Sequence, residues 1–552
     1  MFERISKTIS TSISVQQGSS DLSIGTDLNR DPVYLSGKVT NSTSFAQAML
    51  VLGGIARTAK PEPTDHSAYQ TWVQHEYLKV VQQKLKATTP EQQDLSSELD
   101  KLRSKRESLS AQLKASTTQI AFSSLFRERR QSYQRWVRYN DKEAWLRTYD
   151  PIVSVQKDGT FFEAFSGDET IYARVFLPHE GLETTEQLAM GTTNIDFSLL
   201  MEREFERVRS YRPMNLTVGL KSVDFQTQAA VVQEEKIALP ETWVRGLAEV
   251  QSVLSLASTD FNVSAEFMAE IVTRLKSERE RSGPRSLKFR LVPGEQISVE
   301  IEPWGEVIVD NFEKYEGSEP TEVRIWGRRR LFALEEILID AQKVKVRLLG
   351  SGMPSFWTIV IDKIELTVGL SGWSTNDWAS KARFSNFVSS ADIQPEELEH
   401  GLKLIEEEGS IQTGDFADLL GVTAGKAATI LQKLSLHGKA MFDPERSIYR
   451  WRDLFPTLDI YEERDSSREE IAAIEIVKAQ TISVTKDEMV KSIRNLEASV
   501  DENSKSYSPS IQLDLDFRPK TAVCNCPFYK YNKLKQGPCR HMIALSIQGA
   551  SN

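Results

Sequence analysis

The position of its cysteines is the feature that most constrains this chain. Its 552 residues contain three cysteines, and all three lie within sixteen residues, from Cys524 to Cys539. With a nearby histidine they form the pattern C-x-C-x12-C-x-H, whose members are Cys524, Cys526, Cys539 and His541. Residues two apart on an extended segment project to the same side, so the first two sulfur atoms can point at one centre. The second pair follows a Gly-Pro turn and stands at the start of an apolar helix.

Three thiolates and one imidazole are a common tetrahedral ligand set for zinc, and they are too soft to favour magnesium or calcium. Four protein ligands leave no open coordination position, so the site is predicted to be structural. Three ordinary buried cysteines beside an unrelated histidine are the alternative. The confinement of every cysteine to one short segment argues against that alternative. We expect one structural Zn²⁺ per chain.

Charge and composition exclude several classes of protein. The chain has 68 Lys and Arg against 78 Asp and Glu, a net charge of −10, which argues against binding nucleic acid or anionic membrane along its whole length. A binding site in a locally basic region is still compatible with this charge. Three cysteines cannot form a disulfide framework, and no apolar run reaches the ~18 residues of a membrane span. The first residues also lack the apolar core of a signal peptide. We expect a cytoplasmic protein without membrane association.

Sequence patterns predict a multidomain α+β protein in five parts. Residues 1–65 form an N-terminal segment, and residues 66–147 form a helical hairpin or short coiled coil that interrupts the chain as an insertion. Residues 148–385 form an α+β scaffold with mixed sheets, residues 392–456 a compact helical module, and residues 457–552 the domain with the cysteine cluster. Whether the helical hairpin mediates self-association stays open.

Alternating apolar runs in the scaffold predict β-strands, with a hairpin turn at Asp158-Gly159. Helical spacing predicts helices over 243–256, 265–278 and 330–343. The region contains no G-x-S-x-G or H-E-x-x-H pattern and no phosphate-binding glycine loop. We therefore expect a protein that is not an enzyme, with an unrecognised active site in this region as the alternative.

Residues 392–456 predict three short helices followed by a β-hairpin, the order of elements in a winged helix-turn-helix. From Thr423 to Arg452 six basic residues face two acidic ones, a local balance of 6 − 2 = +4. This balance makes four residues candidates for nucleic-acid or partner contact, namely Lys426, Lys433, Arg450 and Arg452. The outer face of the third helix carries few residues that read bases, so the module could instead dock proteins or serve as scaffold.

The cysteine-containing segment is also basic. No acidic residue follows Asp516, and the candidates for contact with nucleic acid or a partner protein are Lys530, Lys533, Lys535 and Arg540. Three aromatic residues, Phe528, Tyr529 and Tyr531, lie among them. The sequence does not choose between the two kinds of ligand.

The cysteine segment resembles the SWIM zinc finger throughout its length. GTTNIDFS, at Gly191 to Ser198, and LPETWVRGLAEVQ, at Leu239 to Gln251, extend the resemblance to bacterial SWIM proteins that are encoded beside MoxR-type AAA+ ATPases and von Willebrand factor A-domain proteins. The resemblance covers most of the chain from about residue 150, but not residues 66–147. It implies a non-enzymatic adaptor that binds nucleic acid, partner proteins or both within an ATPase-containing system. A protein scaffold without nucleic-acid binding is the alternative.

Overall fold

The computed structural model describes residues 12–14, 20–25, 33–56, 105 and most of 151–550. The undescribed segments within the last range are 185–188, 195–198, 212–213, 219–221, 228–230, 235–240, 278–282, 373–376, 379–383, 388–392, 455–466, 491–492, 503–504 and 515–517. Met1–Ala59 and Thr148–Asn552 form one compact unit, and Lys60–Arg147 form a second. The helical hairpin or coiled coil expected over 66–147 lies outside the described residues.

The largest sheet of the first unit has eight antiparallel strands. In spatial order they are β12 (Thr259–Val263), β17 (Lys343–Leu348), β18 (Ser355–Ile361), β19 (Ile364–Leu370), β6 (Ile171–Pro178), β5 (Gly159–Phe165), β4 (Ile152–Val155) and β8 (Gly191–Asn194). We refer to it as the central sheet. All of β5 and nearly all of β6 are buried, so both faces of these strands are covered. The expected turn precedes β5, where a Cβ on Gly159 would lie 2.8 Å from the Leu177 carbonyl oxygen. Only glycine fits there.

A seven-stranded sheet and two helices cover one face of the central sheet. Its strands, in order, are β1 (Ser12–Ser14), β11 (Val231–Glu234), β2 (Ser20–Gly25), β10 (Ser222–Thr227), β9 (Met214–Val218), β3 (Leu35–Val39) and β7 (Leu182–Thr184). Helices α1 (Ser42–Ala56) and α2 (Leu199–Arg207) accompany it. The ring of Phe45 on α1 lies 5.5 Å from Phe162 of β5 and 6.4 Å from Phe225 of β10. This aromatic contact joins the two sheets through α1.

A four-stranded sheet and two further helices complete the scaffold. The strands are β15 (Glu306–Lys314), β14 (Gln296–Ile301), β13 (Leu287–Leu291) and β16 (Thr321–Ile325), and the helices are α3 (Glu241–Leu254) and α4 (Ala265–Ser277). Both helices lie where the sequence predicts them, within two residues at each end. The helix expected over 330–343 is wrong, because 3₁₀ turns at Arg328–Leu334 and Leu338–Asp340 take its place. Every third residue from Arg328 to Ile337 is buried, a spacing that suits three residues per turn.

Three helices and a three-stranded sheet follow the scaffold. They are α5 (Pro395–Glu408), α6 (Thr413–Leu420) and α7 (Ala424–Leu436), with β20 (Ser410–Ile411), β22 (Ile448–Trp451) and β21 (Ala440–Asp443) in that spatial order. Gly409 and Gly421 end the first two helices with φ of 73° and 68°. The Thr423 hydroxyl accepts a hydrogen bond from the Lys426 backbone N–H and so caps α7.

The β21–β22 hairpin packs on the second face of the central sheet. Phe161 of β5, Phe176 of β6 and Met441 of β21 form a separate buried apolar cluster, and the two rings lie 4.5 Å apart. Fully buried Arg452, which follows β22, forms an ion pair with fully buried Glu163 of β5. The hydroxyl of Tyr172 donates a hydrogen bond of 2.5 Å to the same carboxylate. The contact is therefore both apolar and ionic.

The buried side chain of Arg450 of β22 forms a second connection between the hairpin and the sheet, with exposed Asp158. Its guanidinium donates to both carboxylate oxygens of Asp158, at 2.5 and 2.8 Å. It also donates to Asp443 at 2.9 and 3.1 Å. Burial alone would raise the pKa of Asp443, but Arg174, Arg450 and Arg446 outweigh burial and lower it. The carboxylate is therefore held in its charged form.

The C-terminal part combines a five-stranded sheet with three helices. The elements are α8 (Arg468–Lys478), β23 (Ile482–Val490), β24 (Ile493–Glu502), β25 (Lys505–Tyr507), β26 (Ser510–Leu513), β27 (Pro519–Val523), α9 (Pro527–Asn532) and α10 (Arg540–Ala550). Helix α10 packs on α8 and on the sheet through buried Met542, Ile543 and Leu545. In the described part of the chain, no helix is both long enough and apolar enough to cross a lipid bilayer.

The buried pair of Arg452 and Glu163 predicts a large loss of stability when one partner is removed. Arg452→Met should lower the free energy of unfolding by about 3–5 kcal/mol, because Glu163 would remain buried without its cation. Chemical denaturation monitored by tryptophan fluorescence measures this change. The double variant Glu163→Gln/Arg452→Met should recover much of the loss, and replacement of an exposed lysine of α5, Lys403→Ala, should change little. Equal effects of Arg452→Met and Lys403→Ala would contradict the prediction.

Candidate metal centre and binding surface

Three elements of the C-terminal part bring the predicted zinc ligands together. Cys524 directly follows β27, and Cys526 is the N-cap of α9, where its Sγ accepts a hydrogen bond of 3.4 Å from the Tyr529 backbone N–H. Cys539 directly precedes α10, and His541 lies in the first turn of that helix. A strand end and two helix starts therefore hold all four side chains.

The geometry of the four ligand atoms fits one tetrahedral zinc ion. All four atoms lie within 4.8 Å of one another, and all four residues are buried. The Sγ atoms of Cys524 and Cys539 lie 3.8 and 4.0 Å from Nδ1 of His541. Usual zinc bond lengths in a tetrahedron place sulfur and nitrogen about 3.6 Å apart. Cys524, Cys526, Cys539 and His541 are thus positioned to hold one Zn²⁺ with three sulfur ligands and one nitrogen.

A second layer of side chains orients the histidine. Nε2 of His541 lies 3.0 Å from a carboxylate oxygen of Glu502, at the end of β24. A proton on Nε2 that is donated to Glu502 leaves Nδ1 free to bind the metal. The ring of Tyr507 stacks on the imidazole at 4.4 Å. Arg540 joins the same cluster through Glu502 at 3.2 Å and through Glu469 of α8 at 2.9 Å.

Close contacts among the ligands shift the pKa values of Cys526, Cys539 and His541. Hydrogen bonds with Cys524, which contributes most, and with Cys539 lower the pKa of Cys526. Hydrogen bonds with Cys524 and Cys526 raise the pKa of Cys539. Burial disfavours the charged form of His541, but hydrogen bonds to Cys524, Cys526 and Glu502 outweigh burial and raise its pKa to about 10. The cluster favours positive charge at its centre, which a divalent cation supplies.

Two of the expected contact residues, Arg450 and Arg452, are not available to a ligand. Both guanidinium groups are buried in the ion pairs with the central sheet that are described above. The prediction that Arg450 and Arg452 contact nucleic acid or a partner is therefore wrong. The local excess of positive charge in the hairpin is balanced by acidic residues of the sheet, which are almost 300 positions away in sequence and invisible to a count of nearby charges.

The third helix of the module, α7, is also partly covered. It packs against α3 of the scaffold, and Thr429 of α7 is buried. Lys426 forms an ion pair of 2.5 Å with Glu397 of α5, and Lys433 is half-buried. This face of α7 therefore packs against other helices of the same unit.

The four basic residues near the metal centre divide into two groups. Arg540 is held by Glu469 and Glu502, and half-buried Lys535 lies 5.8 Å from the ring of Trp326, in the scaffold. Lys530 and Lys533 are exposed. Between them Tyr531 exposes 86% of its surface. We call these three residues, Lys530, Tyr531 and Lys533, the finger face.

Sequence patterns did not point to several residues of this region. Glu469, Glu502 and Tyr507 precede the first cysteine by 17 to 55 positions and belong to no spacing motif. Exposed Lys520 on β27 adds a further basic residue close in sequence to the cysteines. An acidic residue at the end of a strand before the motif is a weak signal, since many such residues exist in the chain.

Comparison with known proteins identifies the metal centre. The family model described as SWIM zinc finger matches residues 510–549, which contain all four ligands. No curated protein matches the chain. Two solved structures are similar to part of the chain. PCNA from Thermococcus kodakaraensis is 14% identical, with 41% of this chain and 91% of that chain covered and a TM-score of 0.28. A. fulgidus PCNA is 15% identical, with 42% of this chain and 93% of that chain covered and a TM-score of 0.30. Similarity at these TM-scores supports no inference about this chain.

The contact between Glu502 and His541 predicts a role of Glu502 in zinc affinity. Glu502→Ala should weaken zinc binding by about 10–100-fold, because the imidazole would lose the group that orients it. Competition with a chelator of known affinity measures the change. Glu497→Ala is the matched control, because Glu497 lies on the same strand but pairs with Lys486 at the surface. Equal affinities of the two variants would count against the role.

Removal of the metal should unfold the finger and leave the central sheet intact. We expect one zinc per chain by elemental analysis, and a ratio well below one in Cys539→Ser or His541→Ala. Acidification should release the metal, because protons compete with zinc for the thiolates and the imidazole. Hydrogen exchange should then show faster exchange in α9 and α10 but not in β5 and β6. Protein that is purified without chelators and contains no zinc would refute the metal assignment.

Proposed function

We propose that this protein is a zinc-stabilised adaptor without catalytic activity, and that its SWIM finger binds nucleic acid through the finger face. The observation that carries the proposal is the exposure of two lysines around one exposed tyrosine, Lys530, Lys533 and Tyr531. Lysine side chains can bind phosphates, and an exposed aromatic ring can stack on an unpaired base. Single-stranded nucleic acid suits this combination best.

The charge of the finger supports this proposal. Zinc with three thiolates and a neutral imidazole carries a charge of about −1. Six basic residues and no acidic residue lie between Phe517 and Asn552, so the segment with its metal has a net charge of about +5. The chain as a whole is acidic, and this contrast favours binding at the finger over binding along the whole surface.

The helical module has a structural role in this proposal. Three helices followed by a β-hairpin support a winged-helix-like fold, in which the third helix and the hairpin would normally face DNA. Here α7 packs on α3, and the hairpin packs on the central sheet. We therefore assign the module to scaffolding. Partnership with a MoxR-type ATPase and with von Willebrand factor A-domain proteins stays a prediction from the resemblance, and a pull-down with those proteins tests it.

Salt-dependent binding of a single-stranded oligonucleotide to the zinc-loaded full chain tests the finger face. The logarithm of affinity should fall linearly with the logarithm of salt concentration, and Lys530→Ala/Lys533→Ala should reduce that slope by about 1.4. Tyr531→Ala should weaken binding by about 1–3 kcal/mol, since the stacking contact is lost. Fluorescence anisotropy measures both effects.

Lys403→Ala, an exposed lysine on α5, is the matched control and should bind as the unmodified protein does. Absence of binding at low salt, or equal binding by the double variant and the control, would refute the proposal. A protein ligand of the finger would then be the better hypothesis.

A further inference from the structure

A cavity of about 370 Å³ lies between the central sheet, the β21–β22 hairpin and the end of β15. Its volume is within the range of small-molecule sites. The cavity is lined by side chains that include Arg174, Thr358, Thr367, Phe356, Pro444 and Glu316. The finger is not part of it, so the function proposed above does not use this space.

Arg174 of β6 lacks hydrogen-bond partners although it is buried. Only 2% of its surface is exposed, and its Nε and Nη1 atoms have no acceptor among the described residues. Its ion pair with Asp443 is long, at 3.9 Å. That carboxylate already accepts closer hydrogen bonds from Arg450 and Arg446. A buried guanidinium without acceptors is costly, so these donors call for an acceptor that the protein does not provide.

Two other cations of the cavity are paired within the protein, and a third, Lys314, is exposed. Lys345 lies 2.6 Å from Glu445 and 3.3 Å from Glu365. Arg347 donates to both oxygens of Asp260, at 3.1 and 2.7 Å. Arg174 is thus the buried cation at the cavity whose side chain makes no hydrogen bond with another described residue.

Two hydroxyl groups provide further polar contacts. The Oγ1 atoms of Thr358 and Thr367 lie 2.9 Å apart in a buried hydrogen bond between β18 and β19. One hydroxyl donates to the other, and the hydrogen of the second is free to point into the cavity. The guanidinium of Arg174 together with a neighbouring hydroxyl donor suits an oxyanion.

We propose that this cavity binds a small molecule through an oxyanion, either a carboxylate or a phosphate, that Arg174 holds. The ligand would contact residues of both the sheet and the hairpin, so its binding should raise the stability of their packing. Exposed Glu316 at the cavity disfavours a second negative charge there and limits the ligand to one anionic end.

Isothermal titration of the zinc-loaded full chain with inorganic phosphate and, separately, with the monocarboxylate butyrate tests the site and distinguishes the two sources of oxyanion. At least one probe should bind saturably and raise the melting temperature. Arg174→Met should weaken binding by about tenfold to a hundredfold, since charge-assisted hydrogen bonds are lost. Thr367→Val, which keeps the shape of the side chain, should weaken it less, and Glu316→Gln should strengthen it.

Thr367→Val and Glu316→Gln keep the proposal testable if Arg174→Met does not fold. Lys530→Ala/Lys533→Ala should bind the probe normally, which separates this site from anion binding at the finger face. The proposal is overturned if neither probe binds, or if the finger variant abolishes binding while the Thr367 and Glu316 variants leave it unchanged.

Discussion

The buried carboxylate of Glu163 constrains much of this structure. It lies on β5 with no exposed surface, where an unpaired charge would cost several kcal/mol. Arg452 supplies the compensating cation, and Tyr172 supplies a hydrogen bond. This requirement places the β21–β22 hairpin on the central sheet in one register. The neighbouring pairs of Arg450 with Asp158 and Asp443 follow from the same placement.

Charges in the hairpin are thereby used within the protein. A hairpin that carries arginines beside a third helix would, in isolation, suggest a DNA-binding surface. The sheet supplies acidic residues that neutralise those arginines, and helix α3 covers part of α7. The buried guanidinium of Arg174, whose Nε and Nη1 have no acceptor among the described residues, lines a cavity. In the finger, by contrast, Lys530 and Lys533 are exposed.

The metal centre is built by the same physical rule, in which buried polar groups need partners. His541 is oriented by Glu502, and Arg540 joins Glu502 to Glu469 of α8. The finger is thus connected to its sheet and to α8 by charged hydrogen bonds as well as by the apolar side of α10. These connections leave Lys530, Tyr531 and Lys533 on the outside, because no acidic residue of the finger segment competes for the lysines.

The sequence by itself determined the metal centre and most local elements. Cys524, Cys526, Cys539 and His541 are close in sequence, and their spacing and donor chemistry are enough to specify zinc. Helix ends at Gly409 and Gly421 and the turn before Gly159 were likewise predictable from local backbone preferences. Tertiary structure alone decided which charges are free. Arg450 meets Asp158 across 292 positions, and Glu502 meets His541 across 39. Such pairings depend on which faces pack together, and no local pattern encodes them.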